Sequence, residues 1–154
     1  MNKPNKRLLI DQMDHRLAYF KGVAKISPPA GGWLKSIRTS LNMTLHQCAV
    51  RMGITPSSVR ALEQREVDGA ITIKGLKSAA NALGMDLVYG FVPKGESLSQ
   101  MIEQRAFSVA REIVMRTNTT MSLEDQQVKR KRLERAIAEL ADEIKREMPR
   151  YLWD

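Results

Sequence analysis

An all-α fold with one short β-strand is the architecture this sequence predicts, and three observations carry it. Apolar residues recur at helical spacing through most of the 154 residues. Two such helical stretches meet across a tight juncture, Gly53-Ile54-Thr55-Pro56. A single run, DLVYGFV at residues 86–92, is rich in β-branched and aromatic residues and stops at Pro93. Composition shifts divide the chain into an N-terminal helix with its linker (1–30), a core domain that ends in the strand (31–95) and a C-terminal helical hairpin (96–154).

Residues 5–25 read as the first helix, with Leu8, Leu9, Met13, Leu17 and Phe20 at roughly helical spacing before SPPAGG breaks it. Its basic start, Lys3, Lys6 and Arg7, suits either an arm that reaches phosphate or a packing element. Trp33, Leu34, Ile37 and Leu41 then open the core domain, with the Trp33 ring expected inside.

The stretch TLHQCAVRMGITPSSVRALE, Thr44 to Glu63, is the most specific part of the chain. Cys48, Ala49 and Met52 form the inward stripe of a short helix that Thr44 can cap. Gly53 accepts the left-handed backbone of a helix C-terminus, and Ile54 is expected to plug the turn. Thr55 followed by Pro56 reads as an N-cap and a first helical position, where proline has no N–H to lose. Val59 and Leu62 then point inward, which leaves Pro56, Ser57, Arg60, Ala61 and Gln64 on the outer face. Small side chains at a helix start permit close approach to a DNA major groove. With Ser58 and the capping residues Thr44 and Thr55, these make the candidate DNA-contact set. An ordinary helical hairpin within a bundle is the competing interpretation.

Residues 33 to about 83 resemble the Xre, or lambda-repressor-like, helix-turn-helix family. Met43, Thr44, Ala49, Gly53, Ile54, Thr55, Val59 and Glu63 match its pattern. Leu45 departs from it, standing where a glutamine commonly contacts the DNA backbone, and Cys48 replaces a core leucine. The resemblance implies a lambda-repressor-like helix-turn-helix core and a salt bridge between Arg38 on the first core helix and Glu63 at the end of the motif. The flanking runs PPAGGWLKSIRTSLNMTLHQCA and EVDGAITIKGLKSAANALGMDLVYGFVPK, with MSLEDQ and LWD, resemble the small bacterial family called mobile mystery protein A. That family is associated with a neighbouring protein carrying a Fic domain, which implies an antitoxin-like or regulatory link to a Fic-type partner.

After the motif, Asp68-Gly69 marks a turn, and Thr72 can cap a helix through Leu83 with Leu76, Ala79, Ala80 and Leu83 inward. The strand at 86–92 has no partner within the chain. Pairing with its copy around a two-fold axis would satisfy its backbone and make Leu87, Val88, Tyr89, Phe91 and Val92 a homodimer interface. An extended loop packed on the core is the alternative. Dimerisation would also space two recognition helices for a palindromic operator in double-stranded DNA.

Residues 97–148 read as two helices separated by TNTT at 117–120. The first carries Leu98, Met101, Ile102, Ala106, Val109, Ala110 and Ile113. The second opens with Ser122 and Asp125 in a capping-box-like spacing and continues with Leu133, Ile137, Leu140, Ala141, Ile144 and Met148 on one face. That face must be buried on its own domain, on a dimer mate or on a partner protein. Lys129 to Arg132 are consecutive and fan around the helix as a solvated surface.

Charge is uneven along the chain. Residues 1–66 hold 11 Lys and Arg against 4 Asp and Glu, a net of +7, whereas residues 67–154 hold 14 against 13. A cationic half that contains the motif suits a phosphate-bearing partner. The single cysteine, Cys48, excludes an intramolecular disulfide, and His15 and His46 show no metal-ligand spacing, so no metal and no cofactor is expected. No apolar run is long enough for a bilayer and the N-terminus lacks a signal-peptide core, which implies a cytoplasmic protein with no membrane partner. Enzymatic chemistry is not expected. No serine or threonine has a base at recognisable spacing, no glycine loop cradles phosphate, and Glu124 and Asp125 fit the favourable charge of a helix start. Two functions follow: a dimeric DNA-binding regulator that represses its own operon, or a protein whose main work is to bind and restrain a Fic-type partner.

Overall fold

A computed structural model describes residues 3–118 and 126–154 and is all-helical there. Its α-helices are α1 (Lys3–Ala18), α2 (Trp33–Ser40), α3 (Leu45–Met52), α4 (Pro56–Val67), α5 (Ile73–Ala82), α6 (Leu98–Thr117) and α7 (Gln126–Glu147), with 3-10 turns at Val23–Lys25 and Arg150–Trp153. No described helix is long and apolar enough to cross a membrane. The capping box expected at Ser122 and Asp125 lies outside the described residues, as do Glu124 and the side chain of Lys3.

Two compact units form, Gly22–Gly90 and a second made of Met1–Lys21 with Phe91–Asp154. The N-terminal helix therefore belongs with the C-terminal hairpin, a grouping that sequence order does not suggest. Asp14 of α1 supplies the physical reason. Its carboxylate accepts the backbone N–H of Leu98 (2.7 Å) and Ser99 (3.1 Å) and the Ser99 hydroxyl (2.7 Å), capping the first turn of α6 from another helix. Ser97 completes that turn by accepting the Gln100 N–H.

In this unit α6 and α7 bury their apolar stripes against each other. Ala106, Val109, Ala110 and Val114 meet Ile137 and Ile144, with Leu133, Leu140 and Ala141 at the margin. The two alanines let the helix axes approach closely. A Lys145–Glu103 ion pair at 2.6 Å joins the end of α7 to the start of α6, so the pair is antiparallel. Val114 takes an inward place that Ile113, more exposed, was expected to hold. The chain then folds back, and Leu152 is buried in the same core, held by Arg105 donating to the Leu152 and Asp154 carbonyls.

The other unit packs α2, α3, α4 and α5 around Leu34, Cys48, Ala49, Val59, Ala79, Ala82 and Leu83. Three of its helices begin on a threonine. Thr44 accepts the Gln47 N–H while the Gln47 side chain accepts the Thr44 N–H, closing a capping box; Thr55 accepts the Ser58 N–H and Thr72 the Gly75 N–H. Arg51 of α3 donates to the Ala82 carbonyl, satisfying an acceptor at the end of α5.

Three expectations are corrected. The first helix ends at Ala18, and residues 19–25 form turns and a 3-10 turn in its place. Trp33 stays 44% exposed, because the inward positions of the short α2 are Leu34, Ile37 and Arg38 and Trp33 lies on their flank; Leu41, beyond the last helical turn, is exposed too. Residues 86–92 form no strand. A strand exists only by pairing, and no described segment offers this run a backbone ladder. Val88 and Phe91 are each 77% exposed, so the run is not a loop packed on the core either.

Asp14 makes the junction of α1 with α6 sensitive to acid. Burial raises its pKa, but the Ser99 hydroxyl, the Leu98 and Ser99 amides and the charge of Lys21 together outweigh this and hold the carboxyl below the ordinary 3.8. A carboxyl whose folded pKa is depressed stabilises the fold fully above its unfolded value, and that contribution disappears as pH falls through the folded value. Urea unfolding of wild type and Asp14→Asn should therefore differ at neutral pH and converge below pH 3.8. A difference independent of pH would remove the carboxylate from this role.

Candidate nucleic-acid interface

α3 and α4 are joined by a turn that their end chemistry dictates. Gly53 adopts φ 68°, ψ 31°, a left-handed conformation open to glycine without strain, and ends α3. Thr55 is extended and begins α4, with Pro56 at the first helical position. Ile54 between them is more exposed than a plug of the turn would be.

The inner face of α4 carries Val59, Leu62 and Glu63, with Val59 buried. The outer face exposes Pro56, Ser57, Arg60, Ala61 and Gln64, with Thr44 and Thr55 exposed at the helix starts and Ser58 half-buried. The residues selected from the sequence thus share one accessible surface at the start and outer side of α4. The hydroxyls at its N-terminus are mutually engaged. Thr55 Oγ1 lies 3.0 Å from Ser57 Oγ and 2.7 Å from Ser58 Oγ. Each hydroxyl can both donate and accept, so the cluster keeps capacity for an outside acceptor or donor. At the other end, Gln64 donates to Asp68 across one turn (3.0 Å), a bond that uses one amide hydrogen and leaves the other and the carbonyl oxygen.

Beneath this face α4 is anchored by charge. Arg38 Nε donates to Glu63 Oε1 at 2.6 Å and Nη2 donates to Oε2 at 3.2 Å, with side chains only 10% and 8% exposed. The fork is bidentate, and Arg38 Nη1 donates to the Met43 carbonyl at 3.0 Å, tying the turn between α2 and α3 to the same pair. Glu63's hydrogen bonding raises the guanidinium pKa against the opposing effect of burial.

Cys48 lies under the pair, 3% exposed. Burial first and the Glu63 charge second push its thiol up, outweighing Arg38 and Arg51, so it is a neutral core side chain. Among the described residues no cluster of His, Cys, Asp and Glu could hold a metal ion.

Two anchoring residues were not singled out from the sequence. Gln47 closes the α3 capping box, and Glu66 hydrogen-bonds to the start of α2. Gln47 sits at the position after an N-cap threonine that a capping box requires, a pattern open to inspection. Glu66 acts across 32 residues, which no local pattern reveals.

No family model, curated protein or solved structure matches the chain.

Removing one partner of the buried pair strands the other. Arg38→Met and Glu63→Leu should each lower the unfolding free energy by about 3–5 kcal/mol, and the double variant should lose much less than the sum. Urea unfolding of the four proteins measures the coupling, and strictly additive losses would mean that the two charges act independently.

Proposed function

We propose that the protein is a sequence-specific DNA-binding transcriptional regulator, with α3 and α4 as a lambda-repressor-like helix-turn-helix and α4 as its recognition helix. The observation that carries this is the combination on α4 of a small, hydroxyl-bearing, exposed outer face with an inner face held by a buried bidentate ion pair. A helix that reads bases must approach closely and must not rock, because a hydrogen bond to a base edge tolerates little displacement. Arg60 supplies a long donor to guanine or phosphate, Ser57 and Ser58 supply short ones, and the Ala61 methyl can meet a thymine methyl. The unit Gly22–Gly90 carries 8 Lys and Arg against 4 Asp and Glu, and one arginine and one glutamate of these neutralise each other in the core. The excess positive charge is thus presented to solvent, which favours a polyanion.

Within this proposal the protein works in the cytoplasm as a homodimer that represses its own operon at a palindromic site. Its dimer contact would use the exposed Val88, Tyr89, Phe91 and Val92 with the half-buried Leu87, whose backbone groups could pair with their copies. A second function, restraint of a Fic-type partner, is favoured by α1, where Leu8, Leu9 and Met13 are exposed. Contiguous apolar side chains on a solvent-facing helix suit a protein contact.

The full chain should bind a fragment from upstream of its own gene more tightly than scrambled DNA, with affinity falling steeply as salt rises. Ser57→Ala, Arg60→Ala or Gln64→Ala should relax base preference locally by about 1–3 kcal/mol where the side chain reads a base, and weaken all sequences alike where it contacts phosphate. Electrophoretic mobility shifts on operator and scrambled duplexes measure both, and equal, weak binding to the two duplexes would remove the regulator function.

Light scattering should report a dimer for the wild-type chain and a monomer for Val88→Asp/Phe91→Asp. A wild-type monomer at micromolar concentration would sink the proposed dimer contact.

A further inference from the structure

α2 is the one core helix whose N-terminus is not capped from its own segment. Its N-cap is Gly32, which has no side chain to offer. Glu66, in the last turn of α4, fills the role instead: its Oε1 accepts the Trp33 N–H at 2.7 Å and its Oε2 accepts the Leu34 N–H at 2.9 Å. The carboxylate thus meets two donors that the helix itself cannot satisfy, at the end where negative charge is favoured. Gly32 makes room for it. Its φ is +80°, and a Cβ there would lie 3.0 Å from Glu66 Oε2 and 3.3 Å from a Val67 methyl.

Glu66 is one turn beyond Glu63. The two carboxylates lie near each other on α4 but hold opposite ends of α2: Glu63 grips Arg38 in its last turn, and Glu66 caps its first. A single anchor would leave α4 free to pivot about Arg38, whereas two anchors separated along α2 fix the angle between the helices. We infer that Glu66 is a second positioning residue, setting the direction in which α4 presents its outer face. This rests on the DNA-binding function proposed above; the anchor is distinct from the ion pair that the sequence resemblance implied.

The full-length protein is compared with Glu66→Gln and Glu66→Ala. Gln keeps one acceptor and turns an N–H donor toward the second amide, so it breaks the bidentate cap with little change of shape. Two readouts are taken at a temperature where circular dichroism shows all three proteins folded. The first is the orientation of the α2 and α4 amide vectors in DNA-free protein, from residual dipolar couplings. The second is affinity for the upstream fragment and for scrambled duplex. Both variants should alter the α2–α4 couplings and lower affinity for the upstream fragment about tenfold, with scrambled-duplex affinity and salt slope unchanged. A residue that only stabilised the fold would lower the melting temperature while leaving the couplings and the ratio of affinities as they are, and that result would overturn the assignment. Should the wild type fail to discriminate between duplexes, the DNA-binding function fails by itself. The couplings then still decide Glu66: unchanged values overturn its positioning role, and altered values support it.

Discussion

The bidentate contact between Arg38 and Glu63 is the constraint around which the Gly22–Gly90 unit is organised. Two charges taken out of water survive only when their geometry meets nearly all their hydrogen-bonding capacity. Here Glu63 uses both oxygens and Arg38 divides its donors between Glu63 and the Met43 carbonyl. One contact therefore ties the last turn of α2 to α4 and holds the turn that leads into α3. The apolar core around it is built from small and medium side chains, Ala49, Ala79, Ala82, Cys48 and Val59 among them. Leu34 and Leu83 complete it, and the directional polar contacts beside it impose a geometry that apolar packing alone does not.

The same device recurs in the other unit. Asp14 caps α6 from α1 as Glu66 caps α2 from α4, each carboxylate accepting two consecutive helix N–H groups. In both places the unsatisfied donors of a helix N-terminus become an attachment point between elements. A remote cap does two things at once, ending a helix and joining it to another, whereas the threonine caps of α3, α4 and α5 only begin their own helices. The remote cap joins to α4 a helix, α2, that at 8 residues would be marginal alone.

The two halves of the molecule differ in how they treat apolar surface. The α6–α7 pair buries its stripe completely enough that Ala110 and Ile144 are inaccessible to water, while Leu8, Leu9, Val88 and Phe91 remain exposed elsewhere. Apolar surface left to solvent lies on α1, on the 86–92 run and on α6, where Phe107 and Met115 are each about half exposed.

Local chemistry was legible in the residues themselves. Thr44, Gly53, Thr55-Pro56 and Thr72 mark helix ends because caps, left-handed turns and proline act within a few residues of their own position. The inward stripes of α4, α5 and α7 follow from helical period for the same reason. The outer face of α4 was legible as their complement. What sequence alone could not decide was everything that depends on a distant partner. Trp33 reads as core, yet Leu34, Ile37 and Arg38 take the inward positions of α2, and its tie to α4 is the backbone N–H that Glu66 accepts. The β-rich 86–92 run has strand propensity, yet propensity cannot provide the second strand that pairing requires. The first helix was assigned to its own segment by proximity in sequence, and only folding brought Asp14 to Leu98, 84 residues away. Sequence by itself determined where the threonine-capped helices α3, α4 and α5 start and which residues they turn inward; the tertiary structure decided where α1 stops, how α2 faces and which helix ends are joined, because those depend on partners brought near only in space.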